Sequence, residues 1–302
     1  MFYGARKYRY ELVDGWAKYP EGWSLLDLPM IAIDSQDRVY AISRGAHPVM
    51  VFDRDGNLLT SWGEGVFKRP HGIYVSPGGS VWCADDYHLV RKFTPEGKLL
   101  LTLGNKDQPG DTGYLQQANF LVSTTTIKGG PPFCRPTGTA ESSSGEIYVS
   151  DGYGNCRVHK FTPDGTLLLS WGEPGKGPGQ FRIPHQIRID KQDRVWIADR
   201  ENSRIQIFDA QGKFLTQWVD LQRPNDMWID DEETVYICGQ GGVHIFTIDG
   251  KLLARCDSPK GAHGIAVDSR GDLYIGTFVG TSYGIDGVNV GSRTLRKFAR
   301  KT

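Results

Sequence analysis

Three histidines, His71, His185 and His263, recur at one position of an internal repeat and are the residues best suited to bind a metal ion. In the intervening repeats, the same position holds Pro29, Thr137 and Asn225. The chain has 7 histidines in 302 residues, so three at six chosen positions arise by chance with a probability of roughly 2 × 10⁻⁴. Three imidazoles with an open fourth position are typical of a catalytic zinc site. The pattern therefore predicts zinc or another divalent transition metal. The alternative is three histidines hydrogen-bonded to backbone across a central channel.

The repeat also predicts the fold. Each of the six units contains one phenylalanine at a fixed place: Phe52, Phe93, Phe161, Phe208, Phe246 and Phe298. Aspartates at the ends of first strands are interpreted as turn residues: Asp34, Asp190, Asp230 and Asp268. Units of about 40 residues with several short strands are typical of propeller blades. We therefore predict an all-β, six-bladed β-propeller, in which the histidines of alternate blades converge on the channel.

The predicted blades form one domain that covers residues 1–302. Their approximate ranges are 29–63, 71–104, 135–173, 185–218, 225–256 and 263–298. An irregular insertion at 105–134 follows the second blade, and a glycine-rich loop at 276–292 interrupts the sixth. Residues 8–18 resemble a fourth strand with no blade before it, whereas the last unit ends before its own fourth strand. We predict that this N-terminal strand joins the last blade and closes the ring, which removes both open edges.

Composition limits the possible partners and locations. The formal net charge is +0 and the sequence pI is about 7.0, which predicts no nucleic-acid or membrane-surface partner. No run of eighteen apolar residues is present, and the first ten residues lack an apolar signal-peptide core, which favours a cytoplasmic location. The five cysteines are odd in number and scattered, as is typical of reduced thiols. A pairing of Cys134 with Cys156 across a blade stays open.

Other candidate residues fall on the loops that share a face with the histidines. In a four-stranded meander, the start of the first strand and the end of the second lie at the same end, as does every connection between blades. The loops after second strands carry Arg44, Tyr153 and Arg200. A phenol suits proton transfer, and an arginine fork suits a substrate carboxylate. The alternatives are packing between blades for Tyr153 and salt bridges between blades for the arginines.

Several strings carry a family resemblance. They are Arg69-Pro70-His71-Gly72, Val149-Ser150-Asp151-Gly152-Tyr153, Trp171-Gly172-Glu173, Gly179-Gln180-Phe181-Arg182-Ile183-Pro184-His185 and Ala198-Asp199-Arg200-Glu201-Asn202. With them the chain resembles the NHL-repeat six-bladed propellers, and among these the catalytic core of the peptidyl-α-hydroxyglycine α-amidating lyases. The resemblance covers nearly the whole chain and is densest from Phe133 to Phe208.

The resemblance implies roles for individual residues. It implies that His71, His185 and His263 bind zinc, that Arg44 and Tyr153 flank the substrate, and that Arg200 assists them. It also implies a structural calcium ion held by the backbone carbonyls of Ile31 and Ile73 and by one aspartate. Gly264 stands at the aspartate position, and two neutral carbonyls are a poor site for calcium. We therefore expect weak or absent calcium binding.

Three functions are compatible with these residues. The leading hypothesis is a zinc-dependent carbon–nitrogen lyase that acts on a small, carboxylate-bearing α-hydroxy amide and releases an aldehyde such as glyoxylate. The second is a metal-dependent lactonase or related hydrolase on the same face. The third is a non-enzymatic NHL interaction module, which needs no histidine triplet. Metal content separates the third hypothesis from the others, and a panel of lactones and α-hydroxyglycines separates the first two.

Overall fold

The structure, a computed structural model, describes residues 2–5, 7–115, 126–257, 261–278 and 294–301. Parts of the predicted insertion at 105–134 and of the predicted loop at 276–292 thus lie outside the described residues. The chain divides into two compact units, which are Met1–Val66 with Pro77–Gly79 and Asn225–Thr302, and Phe67–Ser76 with Ser80–Pro224. Within the described ranges, regular structure is β apart from one 3-10 turn at Arg200–Asn202. No helix in this part of the chain is long and apolar enough to cross a membrane.

Six sheets follow one another along the chain. The N-terminal strands are β1 (Phe2–Ala5) and β2 (Tyr8–Val13). The first blade contains β3 (Met30–Ile33), β4 (Val39–Ile42), β5 (Val49–Phe52) and β6 (Leu58–Trp62). The second contains β7 (Pro70–Val75), β8 (Val81–Asp85), β9 (Leu89–Phe93) and β10 (Leu99–Leu103). The third contains β11 (Pro136–Glu141), β12 (Ile147–Asp151), β13 (Arg157–Phe161) and β14 (Leu167–Trp171).

A short parallel pair, β15 (Glu173–Pro174) and β16 (Gln180–Phe181), connects the third and fourth blades. The fourth blade contains β17 (Pro184–Ile189), β18 (Val195–Asp199), β19 (Arg204–Phe208) and β20 (Phe214–Trp218). The fifth contains β21 (Pro224–Ile229), β22 (Thr234–Gly239), β23 (Gly242–Thr247) and β24 (Leu252–Cys256). The sixth contains β25 (Gly264–Val267), β26 (Leu273–Gly276) and β27 (Leu295–Lys301). In the first five blades, strands that are neighbours in sequence pair with each other, and the N-terminal strands join the sixth blade, which confirms the predicted six-bladed β-propeller.

The N-terminal strand pairs with the last blade, as predicted. Strand β2 runs antiparallel to β27, with Tyr10 opposite Arg300. The predicted range of 8–18 was too long, because the strand ends at Val13 and Gly15 then turns with a φ of 64°. Trp16 packs instead 5.7 Å from Phe52 of the first blade. Strand β1 adds a fifth strand to the sheet, which the sequence analysis did not predict.

The recurring aspartates close turns, as predicted. In the fourth blade, Oδ1 of Asp190 accepts hydrogen bonds from the backbone N–H groups of Gln192 and Arg194 at 3.0 and 2.9 Å. Its Oδ2 accepts from Nε1 of Trp196 at 2.7 Å. The same backbone bonds form at Asp34, Asp230 and Asp268. Each carboxylate thus ties the end of a first strand to the start of the second, which is a structural role.

A second set of aspartates holds the loops that carry candidate site residues. Asp151, at the end of β12, accepts a hydrogen bond from the backbone N–H of Cys134 at 2.9 Å. Equivalent bonds join the pairs Asp85–Lys68 and Asp199–Arg182. In each case the donor precedes the aspartate by 17 residues. The segment that leads into a blade is therefore fastened to the loop that follows its second strand.

Within each unit, apolar side chains fill the space between neighbouring sheets. Trp82, Phe133 and Phe161 belong to one buried cluster in the second unit, and Tyr148 and Phe208 belong to another. Five of the six repeated phenylalanines are buried, whereas Phe246 is half-buried. All five cysteines are buried and free. The repeated phenylalanines are therefore core residues that give rigid support to the loops.

Candidate functional site

Strands β7 and β17 place His71 and His185 in the second unit. Each histidine follows a proline that begins the first strand of its blade, and each is buried. In both blades the pairing with the next strand shifts by one residue at the histidine, between Pro70 and Gly72 and between Pro184 and Gln186. Such a β-bulge leaves one residue outside the ladder and re-aims its side chain. The backbone irregularity thus directs the imidazole out of the sheet pairing.

The next residue, Gly72, allows the close approach of the neighbouring blade. A Cβ atom at this position would lie 2.5 Å from the carbonyl oxygen of Thr137, which is closer than real contacts allow. The same carbonyl oxygen lies 2.8 Å from Nδ1 of His71. Because a carbonyl can only accept, Nδ1 donates, and in the neutral ring Nε2 carries the lone pair. A ligating histidine in metalloproteins has this arrangement.

Tyr153 brings the two histidines into one cluster. Its hydroxyl oxygen lies 3.2 Å from Nε2 of His71 and 3.0 Å from Nε2 of His185. The His71 and His185 rings are 4.8 Å apart between centroids and nearly perpendicular. Tyr153 is only 5% exposed. The sequence expectation that Tyr153 shares a face with these histidines is therefore met in the second unit.

Arg200 completes this cluster. It begins the 3-10 turn after β18, is 2% exposed, and donates from Nη1 to the Tyr153 hydroxyl at 3.3 Å. Its guanidinium carbon also lies 5.4 Å from the centroid of the Tyr153 ring. Its Nε donates to Glu201 at 3.1 Å, so the arginine is held from both ends. A positive charge beside the phenol oxygen stabilises negative charge that develops there.

Arg135 is a site residue that the sequence analysis missed. Its guanidinium carbon lies 5.3 Å from the Tyr153 ring centroid. Both carboxylate oxygens of Asp86 accept from it, at 3.0 and 2.9 Å, and its Nη1 donates to the Tyr114 hydroxyl at 2.7 Å. Burial opposes the charge of Arg135, but Asp86 and Tyr114 together outweigh burial and raise the pKa of the guanidinium. The available signal was the Arg-Pro pair that opens the third blade, which repeats Arg69-Pro70 of the second.

The described parts of the insertion lie against the loop that carries Tyr153. Thr112 donates from Oγ1 to the carbonyl oxygen of Gly154 at 2.6 Å, and the N–H of Gly130 donates to Asn155 at 3.2 Å. The N–H of Gly154 donates to the carbonyl of Cys134 at 2.9 Å. The insertion and the tyrosine loop therefore share one face, as expected from the strand order.

The first unit positions His263 and Arg44. Nδ1 of His263 lies 2.8 Å from the carbonyl oxygen of Pro29, which leaves the lone pair on Nε2, as in His71. Arg44 forms an ion pair with Asp27 at 3.3 Å. Phe278 contacts both residues, with 4.3 Å between its centroid and that of His263 and 4.8 Å to the Arg44 guanidinium carbon. Sequence analysis missed Phe278, because no periodic signal marks it.

The three candidate metal ligands were predicted from their register. Among the described residues, His71, His185 and His263 form a group of buried side chains that could hold a metal ion. The other histidines have separate contacts; His88, for example, accepts from the N–H of Arg135 at 3.1 Å, and burial lowers its pKa. His159 contacts Ser170 at 2.7 Å. These contacts give His88 and His159 structural roles outside the repeated position.

The residues named for calcium lie in first strands. Ile31 pairs with Ala41 in β3 and Ile73 pairs with Cys83 in β7. Asp226 is fully buried in the first unit, and its Oδ2 accepts from the N–H of Ile265 at 3.0 Å. Weak or absent calcium binding stays a prediction.

Comparisons with known proteins identify the repeat. Residues 133–161 and 181–208 match the NHL repeat family. The human NHL repeat-containing protein 3 is 35% identical over 261 residues, which cover 82% of this chain and 66% of that protein. A probable peptidyl-alpha-hydroxyglycine alpha-amidating lyase of Caenorhabditis elegans, pgal-1, is 28% identical over 251 residues, which cover 75% of this chain and 66% of that protein. The chain thus spans just under two thirds of the length of these curated relatives.

A solved structure shows the same fold. It is a catalytically inactive virginiamycin B lyase from Staphylococcus aureus with quinupristin, at a TM-score of 0.62 and 15% identity, and the match covers 99% of both chains. At that identity the likeness concerns the fold alone. This chain is therefore a six-bladed β-propeller with NHL repeats, and in sequence it is similar to a relative named as a peptidyl-α-hydroxyglycine α-amidating lyase.

Proposed function

We propose that this protein is a metal-dependent lyase that cleaves the carbon–nitrogen bond of a carboxylate-bearing α-hydroxy amide. The products are an aldehyde, such as glyoxylate, and a free amide. Similarity to a relative named as an amidating lyase supports the reaction class. The observation that carries the proposal is the Tyr153 hydroxyl, which contacts Nε2 of both His71 and His185 and accepts from Arg200.

Zinc, held by His71, His185 and His263, is the metal that we propose. The donor set fits this ion, because zinc takes neutral imidazole nitrogens and uses three protein ligands in catalytic sites. The carbonyl partners of His71 and His263 fix the tautomer that ligation needs. When bound, the ion supplies Lewis-acid chemistry that makes a substrate hydroxyl more acidic.

Tyr153 handles the proton in the proposed reaction. The α-hydroxyl proton passes to the Tyr153 oxygen as this oxygen gives its own phenol proton to the leaving nitrogen. The hydroxyl oxygen forms a carbonyl with the α-carbon, and the electron pair of the broken carbon–nitrogen bond stays on the nitrogen that receives the proton. Atoms and electrons balance without water or another co-reactant. Arg200, at 3.3 Å from the phenol oxygen, stabilises the negative charge that passes through this oxygen.

We assign the substrate carboxylate to Arg44, with Arg200 in support. A guanidinium group forms two parallel hydrogen bonds with a carboxylate and so fixes its orientation. Arg44 is anchored by Asp27 on one side and by the face of Phe278 on the other. Both contacts restrict its side chain before the substrate arrives, which lowers the entropic cost of binding.

The decisive experiment measures glyoxylate release from N-acyl-α-hydroxyglycines by zinc-replete wild type and by Tyr153→Phe. We expect the variant to keep its metal and to lose about 10²–10⁴-fold in kcat, because a positioned proton-transfer group contributes that much. Tyr148→Phe is a matched control, since its hydroxyl contacts Ala210 of the neighbouring blade rather than the histidines.

Two outcomes would replace the proposal. Hydrolysis of lactones by the same preparation, with no aldehyde from any α-hydroxy amide, would assign the site to a metal-dependent lactonase. Absence of stoichiometric transition metal after zinc reconstitution, with neither activity, would leave an NHL interaction module.

A further inference from the structure

A cavity of about 320 Å³ lies in the second unit beside the loop that carries Tyr153. Its lining residues come from that loop, from the connection between the third and fourth blades, and from the end of the insertion: Thr126, Asn155, Cys156, Pro174, Gly175, Lys176, Phe181, Arg182 and Ile183. This volume is at the lower end of the range found for small-molecule sites, which is about 300–1,000 Å³. The cavity therefore fits a short chemical group rather than a folded peptide.

Backbone contacts join the wall of the cavity to the candidate active site. Ile183 precedes His185 by two residues, and its carbonyl oxygen accepts from the N–H of Arg200 at 3.1 Å. Asn155 follows Tyr153 by two residues. Two residues of extended chain span about 7 Å. A group attached to a substrate held at Tyr153 would therefore need a chain of several bonds, the length of a short acyl group, to enter the cavity.

The lining of the cavity combines neutral and cationic residues. Phe181 and Ile183 are buried apolar residues, and Cys156 is a buried thiol whose pKa burial raises to about 12, so it carries no charge. Arg182 is half-buried and Lys176 is exposed. Neither of these cationic side chains has a hydrogen bond or ion pair to another residue that the structure describes.

The acidic residues that pair with this part of the backbone have other cationic partners. Asp199, which accepts from the backbone N–H of Arg182 at 2.7 Å, forms an ion pair with Arg204. Glu173 forms an ion pair with Arg157, and Glu201 forms ion pairs with Arg200 and Arg223. The positive charges of Lys176 and Arg182 are thus left to act on a ligand. An arginine in a cavity that also has apolar lining residues is suited to bind the distal carboxylate of a short chain.

We propose that this cavity binds the acyl group of the substrate and selects acyl chains that end in a carboxylate, such as succinyl. The proposal rests on the lyase function above and names its substrate class: N-acyl-α-hydroxyglycines derived from short dicarboxylic acids. Arg182 reads the distal carboxylate, Lys176 adds positive charge at the mouth, and Phe181 contacts the methylene groups.

Kinetics with two nearly isosteric substrates test the proposal. N-succinyl-α-hydroxyglycine carries the distal carboxylate, and N-succinamoyl-α-hydroxyglycine replaces it by a neutral amide. We expect zinc-replete wild type to prefer the carboxylate by about tenfold or more in kcat/KM, because a hydrogen bond to a charged group contributes this much. Arg182→Gln should reduce the ratio of the two values to near one, and the matched control Lys213→Gln, an exposed lysine of the fourth blade, should keep it.

A binding measurement separates this proposal from the lyase function. N-succinylglycine and N-succinamoylglycine lack the α-hydroxyl and cannot react, and they share every group except the distal one, so the difference between their calorimetric affinities reports the distal carboxylate alone. If wild type binds the succinyl compound more tightly and Arg182→Gln abolishes this difference, the proposal is supported even if no aldehyde forms in any assay. Equal binding of both compounds to wild type, or a preference that Arg182→Gln leaves intact, would overturn it even if aldehyde release is confirmed.

Discussion

Removal of residues 1–18 is expected to destabilise the protein severely, whereas removal of residues 1–6 is expected to be tolerated. The longer truncation deletes β2, which pairs with β27 along Arg9–Val13. It also deletes Trp16, whose Nε1 donates to the carbonyl of Arg54 at 2.9 Å. The shorter truncation deletes β1, which pairs only with β2 at the edge of the sheet.

The magnitude follows from three aromatic side chains. Tyr8, Tyr10 and Trp16 are 3%, 1% and 6% exposed. Burial of one large apolar side chain stabilises a protein by about 1.5–3 kcal/mol, so the three together contribute roughly 5–9 kcal/mol. A whole domain is stable by only about 5–15 kcal/mol. The longer truncation also exposes the backbone of β27, which becomes an open edge prone to pair with other chains.

Calorimetric melting and size-exclusion chromatography provide the assay. At about 2–4 °C for each kcal/mol in a chain of this size, we expect the 1–18 truncation to lower Tm by more than 10 °C and to aggregate. The 1–6 truncation should stay monomeric, with a change in Tm of only a few degrees. A monomeric 1–18 truncation with an unchanged Tm would refute the role of β2 in the last blade.

Three further predictions concern the metal, calcium and the thiols. Each single His→Ala change at His71, His185 or His263 should lower zinc content to well below one per chain by elemental analysis, while His159→Ala keeps it; retention of full occupancy in all variants would contradict the assignment. The resemblance implies only the carbonyls of Ile31 and Ile73 as remaining calcium ligands, so calcium should be lost on mild chelation. One calcium per chain that survives chelation would disprove this. Burial disfavours the thiolate and raises the pKa of Cys134, Cys156 and Cys256 to about 12. Native protein at pH 8 should therefore react slowly with Ellman's reagent, whereas unfolded protein should react at five thiols. Fast reaction of the native protein would show that these thiols are accessible.

Local periodicity predicted the parts of the fold that depend on neighbours in sequence. The phenylalanine of each unit, the aspartate at each first turn and the histidine position are all features of a repeated strand pattern, and the structure confirms the six blades that they indicated. Tyr153 could also be placed near His71 and His185, because the topology of a blade puts the start of its first strand and the end of its second at one edge.

The sequence alone therefore determined the architecture, the candidate ligands and the face on which they lie. Tertiary structure decided which residues support them. Arg135 reaches the Tyr153 ring because Asp86, 49 residues earlier, holds its guanidinium group. The carbonyl oxygen of Pro29, 234 residues away, accepts from Nδ1 of His263 and so leaves the lone pair of the ring on Nε2. Repeated positions mark some of these residues, but the contacts themselves depend on how distant segments meet in three dimensions rather than on spacing along one strand.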